Sequence, residues 1–228
     1  MTHRWLPRLA AASGLLYVVL VDLPFIRGSD PAAPSITSSG QSIVRYSASH
    51  PPSTSLMLLY LVAVLMLLVF AVVLYGRLRS AEPAPGAVAT GVLVGGVLAV
   101  GLELASFPTG MVLSGRGGET DPAIAYALFA WNDYAFVFSL LGQSFMLGAV
   151  AVGGLLYGGM PRWLAASGGL VCVGLLINAA TGLTSDNPFF IGELLFLLWV
   201  LVASITLIIR TGAPSKSPMR TEVAVATV

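Results

Sequence analysis

Charge is what this chain most conspicuously lacks. Only 9% of its 228 residues are charged, and 57% are hydrophobic. The mean hydropathy is +0.90. A soluble domain carries about 25% charged residues, so a water-soluble fold of this size would have too little polar surface. An ordinary cytosolic enzyme is excluded on that ground. The formal net charge is +1, from eleven basic and ten acidic residues. No basic excess exists to neutralise a phosphate backbone, which excludes nucleic acid as a partner. One cysteine, Cys172, leaves no intramolecular disulfide and no cysteine-rich metal site. Two histidines, His3 and His50, stand too far apart for an HExxH motif, and neither lies in an apolar stretch. Haem, zinc hydrolysis and quinol-linked metal chemistry have no ligands here, so no metal and no cofactor are expected.

Long apolar runs are abundant. A bilayer core of about 30 Å needs roughly 20 apolar residues in a helix. Six stretches qualify: about 9–26, 55–75, 87–107, one within 123–157, 164–183 and 188–209. The sequence therefore predicts an all-α, polytopic membrane bundle of six transmembrane helices in a single domain, residues 1–210, followed by a disordered cytoplasmic tail, 211–228. The fourth stretch is too long for one upright span. About 35 helical residues measure about 52 Å at 1.5 Å each. The expectation is a short interfacial segment, Pro122 to Trp131, and then a span from Asp133 to Tyr157. The first stretch has a basic start and an apolar middle, as a signal peptide does. Asp22 to Arg27 follows it instead of a small-x-small cleavage site, so it is read as a retained span.

Basic residues fix the expected orientation. Arg4, Arg8, Arg77, Arg79, Arg162, Arg210, Lys216 and Arg220 fall on one side of six alternating spans; Arg27, Arg45 and Arg116 fall on the other. Eight against three satisfies the positive-inside rule, with both termini cytoplasmic and the plasma membrane as the location. The outer side then holds a long loop rich in Ser, Pro, Ala and Gly, residues 28–53, read as either a lid or a tether. It also holds a glycine-rich loop from Pro108 to Asp121, expected to be flexible. Asp186-Asn187-Pro188 reads as an N-cap followed by proline in the first helical turn.

Lipid competes with apolar side chains, so helices in a bilayer associate through small residues and polar contacts. Gly91 with Gly95, Gly154 with Gly158, and Ala165 with Gly169 have the required four-residue spacing. Packing inside one bundle is the main reading, and homo-oligomer formation the lesser one.

The carboxylates carry the functional argument. An acid inside a bilayer costs a few kcal/mol or more, so its presence is a site hypothesis by default. Asp22, Glu103 and Glu193 each lie five residues from the expected outer end of their spans, about 7 Å deep. Asp133 stands at the outer start of the fourth span. The sharp expectation is an outward-opening pocket lined by Glu103, Glu193, Asp133 and Asp22. Asn132, Tyr134, Asn178 and Gln143 stand near enough to join, and Trp131 anchors at the headgroup level. In such a pocket one acid can donate a proton while another stays ionised. Glu103, Glu193 and Asp133 are the candidate acid–base residues; Asp22, Asn132, Tyr134, Asn178 and Trp131 are the candidate ligand contacts. The plainer reading places Asp133 and Asp22 simply at the headgroup region, with Asp133 and Glu193 supported by helix dipoles. Glu103, near a helix C-terminus where the dipole is unfavourable, needs other support.

The chain resembles the small six-span integral membrane proteins, common in actinobacteria, that are catalogued only as a domain of unknown function. The residues that carry the likeness are Gly14 to Leu20 in the first span, the end of the outer loop from Tyr46 to Pro51, Leu74 to Arg79, and Met160 to Leu164. The resemblance spans about residues 9–209 and implies a fold and a location, with no activity. A weaker similarity, in size and intramembrane acids alone, links it to membrane-bound terpene cyclases. Three functions stay open: a binding protein for a lipophilic or small cationic ligand, a membrane enzyme acting on a prenyl or terpenoid substrate as a cyclase or isomerase, and a structural or partner-binding subunit.

Overall fold

A computed structural model describes residues 6–26, 34–50, 54–116, 119–182 and 191–212. These residues form seven helices and no strand: α1 (Leu6–Ile26), α2 (Gly40–Ser49), α3 (Thr54–Arg79), α4 (Ala87–Arg116), α5 (Pro122–Leu156), α6 (Arg162–Gly182) and α7 (Ile191–Gly212). Helices α3 to α7 are each long and apolar enough to cross a membrane, and α1 carries the apolar stretch Ala10–Val21. The protein is an all-helical, membrane-embedded bundle.

The six long helices close into a ring. Each packs on its neighbour in sequence, and α1 packs on α7 to complete the circuit. Side chains fill the middle. Tyr17 meets Phe196 edge-on at 6.3 Å, and Phe70 meets Trp199 edge-on at 6.4 Å, across the ring from α3 to α7. The Trp199 indole N–H donates to the Leu164 carbonyl at 3.0 Å, tying α7 to α6. That bond matters in an apolar interior, where an unmade hydrogen bond has no water to replace it.

Small residues set the close contacts. A Cβ on Gly95 would lie 2.5 Å from the Met146 nitrogen, and one on Gly142 would lie 2.5 Å from the Ala99 nitrogen. Both clashes are with backbone, which cannot turn aside. Gly14 lets α1 lie close against the side chains of Ser204 and Phe70. The four-residue spacing of Gly91 and Gly95 thus marks an α4–α5 interface within the chain.

One end of the ring carries arginine. Arg77 and Arg79 close α3, Arg162 opens α6 and Arg210 lies in the last turn of α7. The chain turns tightly there: Gly158 and Gly159 have φ of +86° and +80°, and a Cβ on Gly159 would press on the Arg77 carbonyl. Glu82 accepts from the Val88 and Ala89 N–H groups at 2.9 and 2.8 Å, so a carboxylate satisfies the first turn of α4.

The opposite end departs from expectation in three places. First, α5 runs unbroken from Pro122 to Leu156, with no break between Trp131 and Asp133. Asp121 caps it, accepting from Ala123 N–H at 2.8 Å, and neither glycine nor proline interrupts it before Gly142. Second, α4 passes through Pro108 to Arg116, where a flexible loop was expected from Pro108 onward. Proline removes one helix donor. The carbonyl that loses its donor is that of Leu104, and side chains bind the carbonyls on either side of it: the Ser106 hydroxyl donates to Glu103 O at 2.7 Å, and the Trp131 indole donates to Ala105 O at 3.3 Å. Third, residues 40–49 of the long loop form α2, capped by Ser39. Its Ile43 packs with Leu113 of α4 and Ala125 of α5 in a small second core. Gly40 is seated against the Pro122 backbone, with no room for a Cβ.

These three departures have one cause. At 1.5 Å per residue α4 and α5 measure about 45 and 52 Å, both longer than a bilayer core of about 30 Å. Their surplus forms a hairpin at the end opposite Arg77, Arg79, Arg162 and Arg210, and α2 covers it. Asp186 to Pro188 and the tail beyond Gly212 lie outside the described residues.

Replacing Gly95 by leucine should lower the melting temperature in detergent by several degrees, since overpacking against backbone costs about 1–3 kcal/mol or more. Gly101→Leu, on the same helix with open space around it, should leave the melt unchanged. Equal effects from the two would show that the α4–α5 contact is not specially tight.

Candidate functional site

Glu103 is 3% exposed. Its position follows from the small-residue stripe: Gly91, Gly95, Ala99 and Glu103 recur every four residues along α4 and all meet α5. The carboxylate therefore points at the neighbouring helix and away from lipid. Three donors reach it. The Tyr60 hydroxyl of α3 donates to Oε2 at 3.3 Å, and the Gln143 amide of α5 donates to Oε1 at 3.2 Å. The Ser139 hydroxyl of α5 lies 3.4 Å from Oε1. Ser139 also donates to the Phe136 carbonyl at 2.7 Å, the shorter contact. One hydrogen is shared between the two acceptors, so Ser139 is the weakest of the three donors to Glu103. No charged side chain among the described residues acts on Glu103.

Depth can be counted from the arginine end. Glu103 is about 24 Å from Ala87, Tyr60 about 25 Å from Arg77, and Asn178 about 24 Å from Arg162, all at 1.5 Å per residue. Gln143 and Ser139, counted from Tyr157, bracket that level at about 21 and 27 Å. Glu193 joins it through packing. It is buried, and a Cβ on its neighbour Gly192 would lie 3.0 Å from the Asn178 Cβ. Tyr60 stands within electrostatic reach of both Glu103 and Glu193. The ring thus carries a polar layer, fed by α3, α4, α5, α6 and α7, in an interior whose other buried polar side chains, among the described residues, are the serines Ser13, Ser144 and Ser204. Within it Gln143 Oε1 and both polar atoms of the Asn178 amide are buried and have no hydrogen-bond partner among the described residues.

The other candidates stand elsewhere. Asp133 is about 36 Å from Tyr157 on the same count, well beyond the Glu103 level. It is half-buried and makes no hydrogen bond to Glu103. Trp131, Asn132 and Tyr134 lie with it on the hairpin. Trp131 is 58% exposed and Tyr134 40%, and Asn132 faces Gly110 of α4. Asp22 belongs to α1, and its side chain lies outside the described residues. His50 ends α2, stacked on Tyr46 at 4.3 Å. Cys172 lines an apolar groove of about 650 Å³ formed by α4, α5 and α6 on the outside of the ring. A second groove, of about 400 Å³, lies between α6 and α7 beside Trp199. Neither groove includes Glu103, Glu193 or Asp133.

Residues 42–204 match the family described as a domain of unknown function (DUF4386). The chain belongs to that family. The match begins inside α2 and ends in α7, so it takes in Tyr60, Glu103, Ser139, Gln143, Asn178 and Glu193 but not α1. No curated protein matches the chain, and no solved structure does.

Sequence reasoning singled out the acids and passed over Tyr60 and Ser139. The signal for Tyr60 was present. It stands six residues into its helix, at the depth where the acids drew attention, and is the one tyrosine in the outer half of that span. Removing its hydroxyl in Tyr60→Phe should cost about 1–2 kcal/mol of stability, as a hydrogen bond to a buried acid does. In a Glu103→Leu background the same change should cost nearly nothing. A double-mutant cycle on thermal unfolding checks this, and additive costs would show that the two groups are not coupled.

Proposed function

We propose that this is a six-span protein of the plasma membrane, with both termini in the cytoplasm, that binds a lipophilic or small cationic ligand at Glu103 from the outer side. The observation that carries the reading is a carboxylate buried in the bundle with only uncharged partners. Such a group is expensive in a bilayer, and structure alone gives no reason for it. Its depth of about 24 Å from the arginine end is consistent with the outer third of a span of about 30 Å. The excess of basic residues at that end supports a cytoplasmic assignment. Residues 1–210 then act as one transmembrane domain and 211–228 as its tail.

A second reading has an observation of its own. The Tyr60 hydroxyl donates to Glu103 and lies near Glu193. A proton donor between two acids suits acid–base chemistry on a lipophilic prenyl substrate. In that reading Glu103 and Glu193 are the acid and base, and Asp133 sits at the entrance.

Orientation and ligand have separate tests. In a Cys172→Ala background, Ala48→Cys on α2 should react with an impermeant maleimide in intact cells. Ser80→Cys should react only after permeabilisation. The reverse pattern overturns the topology. For the ligand, native mass spectrometry of protein drawn gently from its own membrane should show a discrete added mass in the wild type that Glu103→Gln loses. Bare protein masses in both refute the ligand site. A bound terpenoid converted on incubation would favour the enzyme.

A further inference from the structure

The polar layer contains an imbalance of charge and of hydrogen-bond acceptors. An ionised Glu103 carries one negative charge, and no Lys, Arg or His stands against it among the described residues. The titratable groups nearby are Tyr60 from α3 and Glu193 from α7, with Asp133 farther out on α5. All three are neutral or negative. A buried carboxylate without a counter-charge is costly, and a positive charge held by well-placed oxygen ligands offsets its charge. The direct partners of Glu103 are uncharged and Glu193 is not among them, so the count at this carboxylate is met by one monovalent cation. A divalent ion would need Glu193 as a second charged ligand.

The partners suit that occupant. Tyr60, Ser139 and Gln143 are all ambivalent: a hydroxyl both donates and accepts, and a carboxamide does either according to which end faces inward. An arginine in the same place would donate only. Ser139 divides its one hydrogen between the Phe136 carbonyl and Glu103, and its oxygen keeps lone pairs that a cation can use. Gln143 Oε1 is buried with no partner among the described residues, while Nε2 of the same group holds Glu103. Half a turn of that amide exchanges the two atoms without moving the backbone. It would then bring a carbonyl oxygen to a carboxylate oxygen, which is favourable only with a cation between them.

We propose that Glu103, Gln143, Ser139 and Tyr60 form a site for a single sodium ion, with the Gln143 amide turning between a donating arrangement when the site is empty and an accepting one when it is filled. The described geometry is the donating arrangement. Hard cations prefer oxygen ligands, and carboxylate, amide and hydroxyl oxygens supply four. This names the ligand of the site proposed above, and rests on Glu103 being reachable from the outer face.

The test uses the full chain in phosphatidylcholine vesicles with dicyclohexylcarbodiimide. This lipophilic reagent adds to a protonated carboxyl, and the adduct rearranges to a stable N-acylurea that peptide mass spectrometry locates. The wild type should label at Glu103, and Glu103→Gln should not. For a sodium site, added NaCl slows labelling while an equal concentration of choline chloride does not. Labelling that falls as pH rises but ignores sodium is what any carboxyl gives, and it overturns the sodium site. In the sodium case Gln143→Leu, which keeps the volume but removes the amide oxygen, should raise the NaCl needed for half protection by about tenfold. Labelling of Glu103 that is indifferent to both sodium and pH overturns the proposal, as does an absence of labelling in acid. An organic ligand retained in native mass spectra beside such indifference would sink the cation site and leave the broader ligand reading standing.

Discussion

The backbone contact between α4 and α5 at Gly95 and Gly142 is the constraint on which the rest of the structure depends. Two helices that touch backbone to backbone have a fixed register. Moving along α4 by four residues moves along α5 by about four in the opposite sense. Gly91 meets Ala149, Gly95 meets Met146, Gly142 meets Ala99, and Glu103 meets Ser139 and Gln143. The carboxylate is thus the next step of a packing stripe. It is delivered to its partners by the same geometry that lets the helices approach. A looser pair would place Glu103 toward lipid, where no donor could reach it.

The same register explains the far end. Helices that pack this closely do not part where the hydrocarbon stops. They continue as a paired hairpin through Ala105 with Trp131 and Gly110 with Asn132, to Leu113 beside Ala125. The hairpin carries apolar residues of its own, and α2 covers some of them with Ile43. Residues that read as a tether in the sequence, because they are mostly Ser, Ala and Gly, thereby acquire one amphipathic helix with a surface to lie on.

What the sequence made legible follows from this distinction. Hydrophobic length is a local property, so the long helices stood out, and the four-residue glycine spacing named the contact face correctly. Extending that spacing by one step from Ala99 would also have aimed Glu103 at α5. Surplus helix length is not local. The break expected at Trp131 assumed that a helix must end where the bilayer does, and Pro108 was given more breaking power than it has beside hydroxyl and indole donors. Depth alone grouped Asp133 with Glu103, because an outer boundary had to be guessed. Measured from the arginine end, where the turns are short, the two separate by about two turns of helix. Tyr60 was missed for a chemical reason: the search ranked groups by charge, while the partner a buried carboxylate needs is often a neutral hydroxyl.

An acid surrounded by neutral, reversible partners differs in kind from a buried ion pair. A carboxylate paired with arginine is finished, because each charge answers the other and removing either is costly. A carboxylate held by a phenol, a serine and an amide keeps a use for a positive charge from outside. Its neighbours lose little when they turn from donating to accepting. The groups that turn are side-chain termini, so occupancy can change without disturbing Gly95, Gly142 or the aromatic contacts of Phe70 and Trp199 deeper in the ring. Rigid packing below and adaptable polarity at one level are therefore complementary. The first fixes where Glu103 stands, and the second leaves open what stands beside it.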